Sequence, residues 1–282
     1  MHEPVRSVPR KIWCRSGVGE GLRAVPEETA LAITYNGGTY AVMMGTPDNL
    51  HDFAIGFSLS EGVVASADEI QSFEAVAFDD GVELRMWLAT ETAESISARR
   101  RQIAGPTGCG LCGIDSISEA VKPAAVVAPG GTFSFDQIMA AMELLSPLQK
   151  INIQTRAVHA AAFWTPADGI VALREDVGRH NALDKLAGAL ARGNVQSEID
   201  TSQGMVLLTS RVSVEMVQKT AAIGAPLMVS VSAPTALAIR MAEAAGITLA
   251  AIARADGFEV FTHPHRVVAD ASGSEHAHID VA

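Results

Sequence analysis

Two cysteines three positions apart, Cys109 and Cys112, lie in the stretch Ala104-Gly-Pro-Thr-Gly-Cys-Gly-Leu-Cys-Gly113. Glycine and proline at this density exclude a regular element, so the pair is expected in a loop. A thiolate is the reactive form of cysteine, and a loop lets its sulfur reach a partner. Four chemistries are open. A structural zinc site needs four ligands, but there is no second cysteine pair; Cys14 is distant, and His159 or His180 would have to be recruited. A dithiol redox pair usually opens a helix directly after a strand, whereas this pair follows a helical pattern over Glu91 to Gln102. An inert pair is the third reading. The fourth is a nucleophilic cysteine that carries sulfur.

The densest polar run is Glu175-Asp-Val-Gly-Arg-His-Asn-Ala-Leu-Asp-Lys185, where a predicted strand hands over to a helix. Free N–H groups at a helix start, with Arg179 and Lys185 near, suit a phosphate, and His180 can donate a hydrogen bond or move a proton. Plain capping by Asp176, with Asp184 and Lys185 on a solvated face, explains the run equally well. Two further corners follow predicted strands: Ser210-Arg211, and Ser232-Ala-Pro-Thr235. Ligands of open α/β sheets bind beyond the carboxyl ends of strands, so these hydroxyls and backbone donors suit a nucleotide or pterin. Ser232 with Pro234 also makes an ordinary helix start. His159, on an apolar strand, reads as a core histidine, and Glu215 as support for a first helical turn. His263 and His265 are too loosely placed for a metal.

The elements that must position these groups fall into two rhythms. Residues 1–28 lack periodicity and are basic, which predicts an arm. Residues 29–130 read as a hairpin around Asn36-Gly37, a helix opened by Thr46-Pro47, a second hairpin around Asp79-Asp-Gly81, and the two-cysteine loop at 104–115. Residues 131–268 open with a helix capped by Ser134 and continue as apolar strands alternating with helices, which implies βαβ units and a sheet covered on both faces. Residues 269–282 read as a disordered tail.

Composition narrows the function classes. Over 282 residues, 32 acidic and 21 basic side chains leave a net charge of −11. That disfavours a protein that coats nucleic acid, which needs a broad cationic face. Met1 to Trp13 lacks the apolar core of a signal peptide. The most apolar stretch, Ala233 to Ala253, is interrupted by Arg240 and Glu243, so no membrane span is expected. A cytoplasmic α/β protein is the expectation.

The blocks Gly108-Cys-Gly-Leu-Cys-Gly113, Val158-His-Ala-Ala161, Glu175 to Lys185, Ser210-Arg-Val-Ser-Val-Glu-Met216 and Ser230-Val-Ser-Ala-Pro-Thr235, in this order, resemble the FdhD/NarQ family of sulfurtransferases that serve formate dehydrogenase. The resemblance spans about Ala30 to Val267. It implies a cytidine-deaminase-like three-layer α/β/α core with a mixed sheet, a smaller N-terminal α+β part, and a homodimer. A cysteine desulfurase would load sulfur onto Cys109 as a persulfide, with Cys112 assisting. The sulfur would pass to the molybdenum or tungsten of a bis(guanine dinucleotide) pterin cofactor, bound as substrate, which then activates formate dehydrogenase. The resemblance brings Arg179, His180, Asn181, Ser210, Arg211, Ser232 and Thr235 to that cofactor, together with the stretch Phe258, Glu259, Val260, Phe261, Thr262 and His263. A non-catalytic cofactor chaperone and a dithiol redox protein are the alternatives. Zinc-assisted deamination is not expected. Deaminases place a glutamate two residues after the histidine, where this chain has Ala161. One departure from the family pattern is Gln154 to His159, which lacks the usual glycines.

Overall fold

The computed structural model describes residues 3–89, 122–193 and 199–269. The two-cysteine loop and the helix expected over Glu91 to Gln102 lie outside the described residues. The N-terminal stretch, which has no readable period, forms an antiparallel ribbon, β1 (Val5–Cys14) with β2 (Gly17–Pro26). It was illegible because many of its positions face solvent, so selection for alternation is weak.

A four-stranded sheet follows, ordered β4-β3-β6-β5, from β3 (Thr29–Tyr35), β4 (Gly38–Gly45), β5 (Ile70–Phe78) and β6 (Gly81–Leu88). Both expected hairpins are present, and β3 runs parallel to β6. Leu31, Ile33, Leu84 and Met86 bury one face against α1 (Leu50–Ser60), through Phe53, Ala54 and Phe57. Thr46 does not cap that helix; Asn49 precedes it. Thr46 is instead buried, and its hydroxyl accepts from the N–H of Val177.

The larger sheet has six strands ordered β13-β12-β11-β10-β8-β9. These are β8 (His159–Thr165), β9 (Gly169–Asp176), β10 (Met205–Leu208), β11 (Leu227–Ser230), β12 (Thr248–Arg254) and β13 (Gly257–Val260). The central β10, β11 and β12 are parallel; β8, β9 and β13 join antiparallel, so the sheet is mixed. Alternate side chains feed two cores. Ala161, Phe163, Val206, Leu208, Met228 and Leu249 pack under α5 (Arg179–Ala191), α6 (Val214–Ile223) and α7 (Ala236–Ala245). Ala162, Trp164, Met205, Leu207 and Val229 pack on the other side against α2 (Phe135–Glu143) and Leu145 of α3 (Leu145–Leu148). The cap of α2 is Ser134, as expected, in a reciprocal box with Gln137. A short α4 (Lys150–Thr155) leads into β8, and β7 (Phe133–Ser134) pairs with β14 (Val267–Val268). The described residues thus form a mixed α/β fold with helices on both faces of its main sheet.

The two sheets are locked together where α1 crosses α5. A Cβ at Gly56 would fall 1.7 Å from the carbonyl oxygen of Asp184, and one at Gly188 would fall 1.9 Å from that of Asp52. Only glycine allows the backbones this close. Asp52 bridges Arg174 and Arg192 beside the crossing, at 2.7 and 2.6 Å.

Candidate functional site

The carboxyl ends of β10 and β11 meet the start of β8 and the first turn of α5. Antiparallel pairing puts His159, the first residue of β8, opposite Asp176, the last of β9. Ala160 donates its N–H to the Thr209 hydroxyl at 2.8 Å, tying that edge to the turn after β10. The turns after β10 and β11 run side by side: Val212 bridges Pro234, and Thr235 donates its N–H to the Val212 carbonyl at 3.0 Å. One floor therefore gathers Arg179 and His180, Ser210 and Arg211, and Ser232 and Thr235. It also includes His159, which the sequence reading assigned to the core.

These residues are not equally available. Arg211 is exposed, and Ser232, Arg179, His180 and His159 are half-buried. Ser210 is buried, and its hydroxyl donates to the Arg211 carbonyl at 3.1 Å. Thr235, not Ser232, caps α7, accepting from Ala238 at 3.2 Å. Asn181 is consumed by structure, donating to the Met44 carbonyl at 2.8 Å and to Asp176 at 3.0 Å. Arg179 has a buried Nε with no hydrogen-bond partner among the described residues. A buried donor left unmatched costs about 1–3 kcal/mol, so this guanidinium is held ready for an acceptor. Burial, and after it the Arg179 charge, push both His159 and His180 below the usual histidine range. His180 Nε2 lies 3.5 Å from the Ser213 hydroxyl and 3.8 Å from Glu215. Burial pushes the Glu215 carboxyl up, but bonds from Ser213 and its own N–H, and the His180 charge, bring it below its ordinary value. No side chain caps α5, whose N-cap is Gly178. Helix N–H groups, a guanidinium and two imidazoles make this floor suited to an anion with several oxygens.

The rest of the polar run is closed structure. Asp184 and Lys185 were expected on a solvated face, but both are buried. Lys185 pairs with Asp176 at 2.7 Å, both fully buried, and donates to the Thr46 carbonyl at 2.9 Å. Asp176 also accepts from the N–H groups of Thr46 and Gly178, at 3.0 and 2.7 Å. Lys185 therefore has no reach to a phosphate. Glu175 takes the N–H groups of Ile151 and Asn152 at the start of α4. Asp184 binds Lys219 at 2.8 Å and the Ser60 hydroxyl at 2.6 Å. Burial opposes the Lys219 charge, but Asp184 and Glu61 outweigh it and hold the ammonium protonated.

The stretch after β12 is split. Phe258 and Val260 pack into the core beneath α2, where Phe258 stacks on Phe135. Phe261 turns to the opposite core, and Glu259 is exposed beside Ala251. Thr262 and His263 sit at the amino end of β12, away from the floor. The Thr262 hydroxyl bridges Leu249 and Ile247, and the His263 ring meets the Glu243 carbonyl at 2.9 Å. At the other end of β12 a bulge places Ile252 at φ 54°, its N–H donated to the Ser232 carbonyl at 3.3 Å. A β-branched residue in the left-handed region is strained, and such strain gathers at working sites. Cys109 and Cys112 lie outside the described residues.

The model of the FdhD/NarQ family matches residues 26–268. The chain belongs to the FdhD/NarQ family. It is 49% identical to the sulfur carrier protein FdhD of Agrobacterium fabrum, over 93% of this chain and 96% of the relative. It is 50% identical to the protein of that name from Brucella abortus, over 90% and 93%, and 50% identical to that from Cupriavidus necator, over 92% and 89%. A crystal structure assigned as a formate dehydrogenase accessory protein of Desulfotalea psychrophila superposes with a TM-score of 0.73 at 24% identity, covering 94% of this chain and all of that one. That likeness supports the fold.

Proposed function

We propose that this FdhD/NarQ member carries sulfur in the maturation of formate dehydrogenase. Support comes from the relatives named sulfur carrier proteins over nearly the whole chain and from the reactive-type pair Cys109 and Cys112. The observation that carries the cofactor half of the reading is the buried, unmatched Nε of Arg179 on a floor that also holds His159, His180 and Arg211.

In this reading the Cys109 thiolate attacks the outer sulfur of a cysteine desulfurase persulfide. The donor S–S bond breaks, the donor thiolate leaves, and Cys109 becomes the persulfide. Attack of the Cys112 thiolate on the inner sulfur then releases the outer sulfur at the sulfide level and leaves a Cys109–Cys112 disulfide. That disulfide is reset by a cellular dithiol. The acceptor is the molybdenum or tungsten of a bis(guanine dinucleotide) pterin, held as substrate. Its diphosphates would lie across the α5 N-terminus, with Arg179 and Arg211 neutralising charge. His180 would donate a ring N–H hydrogen bond to a phosphate oxygen, and Ser232 would donate through its hydroxyl.

The test is complementation of a strain that lacks this chain, read as formate dehydrogenase activity in the extract. Cys109→Ala should abolish activation while guanine nucleotide binding survives. Full activation by Cys109→Ala would reduce the protein to a cofactor chaperone. Equal loss with Cys109→Ala and Cys112→Ala, together with a measurable two-electron potential and no sulfur uptake, would make it a dithiol redox protein.

A further inference from the structure

Ser213 stands at the N-cap of α6, yet its side chain makes no cap bond to the helix. A serine there ordinarily accepts from the second or third helical N–H. This hydroxyl is turned to two side chains instead. It donates to the Glu215 carboxylate, and its oxygen lies 3.5 Å from His180 Nε2. A Glu215 oxygen lies 3.8 Å from the same ring nitrogen. Both groups beside Nε2 are therefore acceptors, which assigns the proton of the neutral ring to Nε2 and leaves Nδ1 bare. A bare ring nitrogen accepts and does not donate. His180 can give a hydrogen bond from Nδ1 to an anion only as the imidazolium.

Glu215 decides whether the ring can take that proton. The charged side chains facing His180 are Arg179 beside it on α5, Glu215 and Lys219 on α6, and Glu61 at the end of α1. Burial opposes a charge on the ring, then Arg179 does, and then Lys219; Glu215 leads the groups that favour it, ahead of Glu61. Without Glu215, two cations would face one carboxylate. Glu215 is also free for this task. Lys219, one turn along the helix, is closed by Asp184 at 2.8 Å and Glu61 at 3.2 Å. Against burial, the Ser213 hydroxyl and the N–H of Glu215 itself hold the carboxyl below its ordinary value, so it is ionised at neutral pH.

We propose that Glu215 is a positioning residue of the anion floor: it fixes His180 by Nε2 and supplies the counter-charge with which Nδ1 takes a proton from solvent as a diphosphate arrives. This rests on the reading of that floor as the seat of the cofactor's diphosphates. No bond of the ligand breaks; one N–H forms on Nδ1, and water or buffer gives the proton. Both ring nitrogens then donate, Nε2 to Glu215 and Nδ1 to a phosphate oxygen, and a charge-assisted bond replaces a neutral one. Affinity for a diphosphate therefore rises as pH falls through the titration of His180 and declines above it.

The experiment is an NMR titration of the histidine ring Cε1–H signals of the full chain, with and without inorganic pyrophosphate, beside calorimetric pyrophosphate binding over the same pH range. His180→Gln identifies the His180 signal and gives the baseline for the titration of pyrophosphate itself. In the native chain, pyrophosphate should move the His180 titration to higher pH. Glu215→Gln keeps the side-chain length at an exposed position, so melting temperature should stay near the native value. It should move the His180 titration to lower pH and weaken pyrophosphate at neutral pH about tenfold, the loss of one charge-assisted bond. In the His180→Gln background it should weaken binding no further. A His180 titration indifferent to Glu215→Gln, with pyrophosphate still bound, overturns the proposal and leaves the floor in place. So does tighter binding by Glu215→Gln, which would make Glu215 only a repulsive charge. Equal weakening with and without His180 also overturns it, because Glu215 then acts apart from the ring. A native chain that binds no pyrophosphate overturns both the proposal and the reading of the floor.

Discussion

Within the eleven residues from Glu175 to Lys185, neighbours along the chain belong to two regions with opposite electrostatics. Asp176, Asn181, Asp184 and Lys185 point into the junction between the sheets, where both carboxylates, the Lys185 ammonium and the Asn181 amide nitrogen are matched by other residues. Arg179 and His180 point to the carboxyl-end floor, where a guanidinium nitrogen lacks a partner among the described residues and burial, then the Arg179 charge, pushes both imidazoles below the usual histidine range. Asn181 and Lys185, four apart, share one helix face, whereas His180 and Asp184, also four apart, divide by depth: His180 lies in the first turn at the rim and Asp184 one turn further into the junction. Asn181 and Lys185 lie under α1 and β4, and Arg179 lies on the rim. Polar density alone does not mark a site. In this protein the mark is polarity left unmatched at a strand end.

The first way to break the comparison is to remove one partner from the closed region. Lys185→Met strands a buried carboxylate and should cost about 3–5 kcal/mol, read as a lower urea midpoint. A loss under about 1 kcal/mol would mean that the junction admits water. A smaller effect is expected at the helix crossing. Gly188→Ala must push α1 off α5 and should cost about 1–3 kcal/mol, and a neutral result would show that the crossing yields easily.

The open region should behave in the opposite way. Arg179→Gln removes the unmatched buried donor, so stability should stay at or rise above the native value. It should weaken calorimetric binding of inorganic pyrophosphate about tenfold, the loss expected for one charged hydrogen bond. Destabilisation without a binding change would return Arg179 to the structural class. The caps sharpen the contrast further: Thr235→Ala should cost about 1 kcal/mol as the loss of an N-cap, while Ser232→Ala should leave the urea midpoint unchanged.

The smallest effect is in pH. His159 and His180 are depressed in the fold, by burial first and by Arg179 second, so the unfolded chain binds protons that the fold refuses. Their contribution to stability is complete above the ordinary histidine value of about 6.5. It is lost as pH falls through that value toward the depressed ones. His159→Gln and His180→Gln should each flatten the acid-side decline of the urea midpoint, and an unchanged slope would contradict the assignment.

Much of this architecture was legible in the residues. The Asn36-Gly37 and Asp79-Asp80 turns, the Ser134 cap and the apolar runs of β10 to β12 follow local rules, and the structure obeys them. What escaped depended on tertiary contact. Thr46-Pro47 carries a helix-start pattern, yet Thr46 is taken by Asp176 and Val177 across the junction. Asp184 and Lys185 look like surface charges because their partners, Lys219 and Asp176, lie on other elements or an earlier strand. His159 looked like core because a strand's first residue carries no signal of which end of the sheet it faces. The β1–β2 ribbon was missed because little packs on it.

Sulfur uptake itself is tested most directly by intact mass of the full chain after incubation with a cysteine desulfurase and free cysteine. The expected result is a reductant-sensitive gain of about 32 Da, one sulfur atom, present in the native chain and in Cys112→Ala and absent in Cys109→Ala. No gain in the native chain, with the desulfurase active on another acceptor, would contradict the sulfur-carrier reading and leave the floor around Arg179 as a cofactor-holding surface.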